Sequence, residues 1–308
     1  MKILITGGAG YVGTQLTKVL SASPQTSSII VFDNQSRANY NLFLGRRFEN
    51  PDKIRYIAGD LLDSRKLRQV LQQYEIDVVY HLAARVTTPF ANTEAHFHEQ
   101  INHWGTSELV MAVEESQVKR FIYTSSTSVY GASTDLIDED AKPDPKTFYG
   151  TSKFRGEQHV KRLMDKMDTY IFRCANVYGY NKSMRFDAVI NRFMFDANFS
   201  NRISIHGDGK QSRAFIHIDL LADLLAKSLT EKIPSGTYNV VDTNLQVLDI
   251  VDVVKEIFPD LEFIFINQHL KLRDLKINPE SRLRLFVDYI NEKTFKEEMV
   301  EFKQRFCF

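Results

Sequence analysis

Residues 2–13 read Lys2-Ile-Leu-Ile-Thr-Gly-Gly-Ala-Gly-Tyr-Val-Gly13, and an amphipathic stretch, Tyr11–Leu20, continues from them. A short apolar strand runs into a glycine turn, and the turn opens directly into a helix. Gly8, Gly10 and Gly13 fit dinucleotide spacing, and Gly7, Gly10 and Gly13 offer a second register with three residues per step. Glycine lets the backbone turn sharply and come close to a pyrophosphate. The helix start at Tyr11 and Val12 supplies free N–H groups and a positive dipole end for that anion. Asp33 stands about 20 residues on, at the end of the run Ile29–Phe32, followed by Asn34. A carboxylate there accepts the adenosine ribose hydroxyls and repels a 2′-phosphate, which favours NAD over NADP; Arg37 nearby is the feature that speaks for NADP.

Outward from this unit, strand-like runs alternate with helical ones through the first 180 residues. Lys2–Thr6, Ile29–Phe32, Ile54–Ala58, Val78–Leu82, Phe121–Ser125 and Ile171–Cys174 are short and apolar; Tyr11–Leu20, Ser64–Tyr74, Thr93–Glu115 and Tyr149–Met164 have helical spacing. Continuous apolar strands joined by helices mean a parallel sheet covered on both faces. The expected fold is α/β: a Rossmann-like doubly wound parallel sheet over residues 1–180, and a smaller α/β substrate-binding domain over residues 181–308. Some strands and helices of the second part are expected to return to the first. That second part is read as helices over Phe186–Phe199, Asp219–Thr230, Leu248–Phe258 and Glu292–Phe306, with strands at Ile203–Ile205 and Ala214–Ile218.

Within the first part, Tyr149-Gly-Thr-Ser-Lys153 places a phenol and an amine four residues apart on a helical stretch, so both share one face. Two unit charges ~4 Å apart interact by roughly 4 kcal/mol at an effective dielectric of ~20, an upper bound of about three pKa units on a phenol beside an ammonium. A tyrosine tuned in this way takes a proton from an alcohol near neutral pH. The pair gains meaning only because a nucleotide site lies in the same chain.

Bulk composition narrows the classes. The 39 Lys plus Arg balance 39 Asp plus Glu, so no net charge draws the chain to nucleic acid or an anionic membrane. No apolar run approaches the ~18 residues of a membrane span. Cys174 and Cys307 are the two cysteines, too few for a disulfide framework, and a reducing cytoplasm is expected. His96 and His98, two apart on a helical stretch, point about 200° apart, so no metal site is expected.

The same residues resemble the extended short-chain dehydrogenase/reductase family, in its sugar-nucleotide epimerase branch, over nearly the whole chain. The opening loop is similar to the family's Gly-x-x-Gly-x-x-Gly. Gly59-Asp60-Leu61 resembles the segment whose acid contacts adenine. His81-Leu82-Ala83-Ala84 resembles the strand-four motif on the nicotinamide side, with Val86 just beyond it. Asn102-His-Trp-Gly105 resembles the central helix motif. Thr124-Ser125-Ser126 resembles the active-site serine segment, and Tyr149 with Lys153 the catalytic pair. Arg173-Cys-Ala-Asn176 and Gly207-Asp-Gly-Lys-Gln-Ser-Arg213 resemble segments meeting the substrate phosphates, and Arg273 resembles a further phosphate-side arginine.

The resemblance implies NAD as cofactor, with contacts from Gly7, Gly10, Tyr11, Val12, Gly13, Asp33, Asn34, Asp60, Leu61, Leu82, Ala83, Ala84, Asn102, Tyr149 and Lys153. It implies Ser126, Tyr149 and Lys153 as the catalytic set. Val86, Ser126, Asn176, Arg213 and Arg273 would meet a nucleoside-diphosphate sugar. The implied reaction is transient oxidation to a keto sugar and return of hydride to its other face, at C4. A homodimer is implied through helices 93–115 and 149–164. In the family's dehydratases an Asp-Glu pair follows the catalytic hydroxyl, and in its decarboxylases a Glu; here Thr127 and Ser128 follow Ser126. The alternatives that stay open are an NAD(P)H-dependent keto-sugar-nucleotide reductase and a non-catalytic NAD(P) sensor. Ala214, Arg85 and Leu283–Phe286 depart from the family pattern on the substrate side.

Overall fold

The computed structural model describes residues 1–86, 94–268 and 272–308. In chain order the main elements of the first half are β1 (Lys2–Thr6), α1 (Tyr11–Ala22), β2 (Ser28–Asp33), β3 (Ile54–Ala58), α2 (Ser64–Gln73), β4 (Val78–His81), α3 (Ala95–His98), α4 (Thr106–Glu114), β5 (Arg120–Ser126), β6 (Ser133–Ile137), α5 (Phe148–Val160), β7 (Asp168–Cys174) and β8 (Asn176–Tyr178). Those of the second half are α6 (Val189–Ser200), β9 (Arg202–His206), β10 (Ser212–His217), α7 (Ile218–Lys227), β11 (Gly236–Val240), β12 (Thr243–Gln246), α8 (Val247–Ile257), β13 (Glu262–Ile266), β14 (Leu275–Ile277) and α9 (Phe295–Gln304).

The large sheet has seven parallel strands in the order β11-β7-β5-β4-β1-β2-β3. The order reverses between β1 and β4, and in open α/β sheets that switch point marks the ligand crevice. Its strands are apolar on both faces because both are covered. Ile3, Ile5, Ile29 and Val31 face the side of α1 and α7, while Leu4, Ile30, Val79 and Phe121 face α2 and α4. β11 is the seventh strand; it comes from the second half of the chain and crosses the expected boundary at residue 180. β6 travels the other way, joining β12, β10, β14 and β8 in a second sheet. A third cluster, with Ile190, Phe193, Ile250 and Met299 in it, packs α6, α8 and α9 together.

The expected helix 93–115 starts at Thr93, which lies outside the described residues. From Ala95 to Glu114 it runs on, but Glu99–Gly105 between α3 and α4 is a π-helix. Such widened turns concentrate at functional sites. The expected helix 149–164 is α5 followed by a 3₁₀ turn, Lys161–Leu163. Among the described residues no helix is long and apolar enough to cross a membrane, and no cluster of metal-ligating side chains occurs.

Candidate active site

A cavity of about 740 Å³ opens where the carboxyl ends of β1, β2, β4, β5 and β7 meet the second sheet. At its floor lies the β1–α1 turn. Gly7 has φ +71°, and a Cβ on it would stand 2.6 Å from the backbone of Ala83 at the end of β4. A side chain here would push apart the two turns that frame the crevice. Gly10, Tyr11, Val12 and Gly13 line the wall beyond, where α1 begins without a side-chain cap. Its first N–H groups are thus left for an anion.

Asp33 closes the far end. Its carboxylate accepts N–H bonds from Ala9 at 3.1 Å and Gln35 at 2.8 Å, which aims it across the turn. Burial raises its pKa, opposed by those two N–H groups and by Arg37. Asn34 donates to Asp60 at 2.7 Å, tying the β2 and β3 loops together beside Leu61. Leu82, Ala83, Ala84 and Val86 form the opposite wall. A glycine floor, a free helix start and a strand-end carboxylate fit a dinucleotide; no metal is needed to explain any of them.

Two elements, β5 and α5, build the end of the cavity that holds Ser126, Tyr149 and Lys153. Ser126 ends β5 and is 9% exposed; its hydroxyl accepts the Ser128 N–H at 3.1 Å and hydrogen-bonds Tyr149. Tyr149 sits in the first turn of α5, capped by the Thr147 hydroxyl, which accepts the Gly150 N–H at 3.0 Å. Gly150 lets that turn approach closely, since a Cβ there would meet the Ser128 carbonyl at 2.6 Å. Lys153, one turn on, is 1% exposed, and its ammonium lies 4.1 Å from the centroid of the Tyr123 ring. Burial lowers its pKa to about 7. Tyr149 is held above the usual phenol value by burial, against the Ser126 hydrogen bond and the charge of Arg185. The cation that opposes this shift is Arg185.

Asn176 lines the cavity and donates to the Ala214 carbonyl at 3.0 Å. Arg213 also lines it; its Nη1 donates to the Ser212 carbonyl at 3.0 Å and to the Arg273 carbonyl. Two expected residues are placed elsewhere. Asn102 is fully buried behind the wall, where its amide accepts from Arg85 N at 2.7 Å and donates to Arg85 O at 2.9 Å and Ser152 Oγ at 3.0 Å. It shapes the β4 loop from behind. The Arg273 side chain is exposed outside the lining, and its backbone carbonyl steadies Arg213. His81 is buried between Thr6 and Thr106 at 2.7 and 2.9 Å, and the half-buried His217 accepts the Asp219 N–H at 3.2 Å.

Sequence reading missed Arg185, Asp187 and Cys174. Arg185 clasps Asp187 with contacts of 2.9 and 2.6 Å, and Asp187 also faces Arg37 at 3.8 Å across the crevice. Their loop has no periodicity that would flag them. Cys174 stands beside Ser126 in the β5–β7 ladder, a pairing that the sequence of either strand does not record.

Residues 3–241 match the NAD dependent epimerase/dehydratase family. The chain belongs to that family. NAD is accordingly its cofactor, and the glycine floor and Asp33 have the chemistry to receive a pyrophosphate and an adenosine ribose. Among curated relatives, human dTDP-D-glucose 4,6-dehydratase is 29% identical over 297 residues, covering 95% of this chain and 79% of the relative. UDP-glucose 4-epimerase of Mycolicibacterium smegmatis is 28% identical over 234 residues, 74% of this chain and 73% of the relative. Among solved structures, UDP-glucuronic acid 4-epimerase of Bacillus cereus superposes with TM-score 0.87 at 24% identity, covering 99% of this chain and 98% of the other. UDP-glucose 4-epimerase of Thermotoga maritima gives 0.86 at 20% identity, with 99% and 98% coverage. These superpositions show a shared fold; by name, the relatives include both 4-epimerases and 4,6-dehydratases.

Proposed function

We propose that the protein is a sugar-nucleotide 4-epimerase. The observation that carries this reading is the pair Thr127 and Ser128 directly after Ser126. Elimination of water from a sugar requires a proton donor and a base beside the ring, and hydroxyls with ordinary pKa values supply neither near neutral pH. Ser128 is already engaged, its hydroxyl 3.1 Å from that of Ser126. Inversion needs only one exchangeable proton, and Ser126, Tyr149 and Lys153 suffice for it.

NAD, when bound, supplies the hydride acceptor and donor. The protein does the rest. Tyr149 takes the proton from the C4 hydroxyl and later returns it. Ser126 donates a hydrogen bond to the same oxygen as it becomes a ketone. Lys153 and Arg185 favour the phenolate through their positive charge. Inversion at C4 requires the keto sugar to turn its other face between the two transfers. Arg213 and Asn176 are suited to the diphosphate, bidentate guanidinium contact being the geometry that matches phosphate oxygens.

We further infer a homodimer through α3, α4 and α5. Phe97, Met111 and Phe148 on these helices, and Trp104 on the π-helix between α3 and α4, stand 43, 39, 43 and 56% exposed, and large exposed apolar side chains on neighbouring helices are a feature of interaction surfaces. The expected setting is the cytoplasm. The test is a screen of UDP-, dTDP-, GDP- and CDP-sugars against NAD-loaded protein, with products read by NMR. A C4-inverted sugar supports the reading. A 4-keto-6-deoxy product, or net consumption of NADH, replaces it with dehydration or reduction.

A further inference from the structure

Behind the reactive end lies an ion pair that the proposed reaction does not use. Tyr149, Lys153 and Glu157 are spaced four apart on α5 and form one stripe. Glu157 is fully buried and Arg173, on β7, is 3% exposed. The two make a bidentate contact, Nε to Oε1 at 3.0 Å and Nη2 to Oε2 at 2.7 Å. Ser125, the neighbour of Ser126, donates its hydroxyl to Glu157 Oε1 at 2.6 Å. Arg173 Nη1 donates to the Tyr130 hydroxyl at 2.9 Å, and Tyr130 donates to Asn239 on β11 at 2.8 Å. One carboxylate thus joins the end of β5, the middle of α5 and the end of β7.

Such a pair is a weak source of stability, because removing two charges from water offsets most of their attraction. Its placement suggests another use. Lys153 sits one turn from Glu157, and burial works against its charge. The groups that act on it are Glu157 on its own helix, Tyr123 on β5, Cys174 on β7 and His81 on β4. Burial pushes the Cys174 thiol up to about 12, so it is uncharged where Lys153 titrates. His81 is held neutral by burial and by Lys153 itself. Tyr123 is raised well above the phenol range by burial. Glu157 is then the negative charge that supports the ammonium.

We propose that Glu157, clamped by Arg173, is the positioning residue of this site: it favours the ammonium form of Lys153 and locks the Ser126 strand end to the helix that carries Tyr149. The inference rests on Lys153 acting in the proposed reaction, but its test needs no turnover. Protein labelled with [ε-¹³C]lysine and loaded with NAD is titrated by NMR, the Lys153 signal being the one lost in Lys153→Met. In Glu157→Gln/Arg173→Met, which removes both charges and leaves no lone buried ion, the Lys153 midpoint should fall by about one pH unit. In Arg173→Gln, which leaves the carboxylate unshared, it should rise. Glu157→Asp should keep the midpoint near that of the parent. A purely structural pair predicts lower melting temperatures with the Lys153 midpoint unmoved. An unmoved midpoint in the double variant overturns the proposal; should that variant not fold, an unmoved or lowered midpoint in Arg173→Gln does so. Failure to turn over any sugar nucleotide, with these shifts intact, would count against the epimerase reading alone.

Discussion

Gly7→Ala separates the cofactor cradle from ordinary backbone strain. Gly7 has φ +71°, and its added Cβ would lie 2.6 Å from both Cα and N of Ala83. The left-handed backbone costs an alanine roughly 1–2 kcal/mol. Relieving an overlap with main chain, which has no rotamer to swing aside, adds roughly 1–2 kcal/mol. A chain of 308 residues has an unfolding entropy of about 0.65 kcal/mol/K at ~2.1 cal/mol/K per residue, so a total near 3 kcal/mol lowers Tm by about 5 °C. Gly45 is the control: φ is +79° and nothing lies within 4 Å of its added Cβ, so Gly45→Ala should carry the backbone cost alone, about 2 °C. The assay is thermal unfolding with and without saturating NAD. NAD should raise the Tm of Gly45→Ala as much as that of the parent, because ligand stabilisation scales with affinity. In Gly7→Ala the rise should shrink or vanish, since the displaced turns are the ones that receive the pyrophosphate. An undiminished NAD-dependent rise in Gly7→Ala would refute the contact between the glycine turn and β4 as the basis of the cradle.

Lys153→Met should stabilise the unloaded protein most at low pH. The Lys153 pKa falls on folding from 10.5 to about 7, so its burial penalty is full below pH 7 and disappears as pH rises toward 10.5. The upper limit on the gain, about 4–5 kcal/mol, follows from 1.36 kcal/mol per unit, and denaturant melts at pH 6.5 and 10 should show it shrinking. Arg213→Ala should weaken sugar-nucleotide binding about 10–100-fold, measured calorimetrically, while leaving NAD affinity within twofold. Trp104→Glu should convert a dimer to a monomer by light scattering; an unchanged mass moves the interface elsewhere.

The opening strand, glycine turn and Asp33 were legible because each is a local demand of backbone geometry. The central strands were equally plain, since full burial forces unbroken apolar runs such as Ile29–Phe32. β11 was not assigned to the large sheet, because a strand's sequence records its burial and not its neighbour. β6, β8, β12 and β14 are three to five residues long and too short to show a period. The π-helix at Glu99–Gly105 left no trace, as its apolar spacing reads as a regular helix. At the site, Ser126, Tyr149 and Lys153 were expected from spacing and resemblance, and all three line the cavity. Asn102 was taken for a cofactor contact when its buried amide is spent on Arg85 and Ser152. Arg273 was taken for a phosphate ligand; its carbonyl accepts from Arg213, and the residue is exposed outside the cavity lining. Arg185 acts on Tyr149 from a loop of the other half of the chain, a distance no local pattern encodes.

The central claim is that a single tyrosine proton, moved beside a recycled hydride, inverts a sugar carbon. The most direct measurement is NMR of UDP-glucose and dTDP-glucose incubated with NAD-loaded protein in D₂O, alongside Tyr149→Phe. The account predicts a C4-inverted sugar with no deuterium on carbon, and none of it from Tyr149→Phe, whose NAD stays bound. A 4-keto-6-deoxy sugar carrying solvent deuterium at C5, or inversion by the phenylalanine variant, would contradict it.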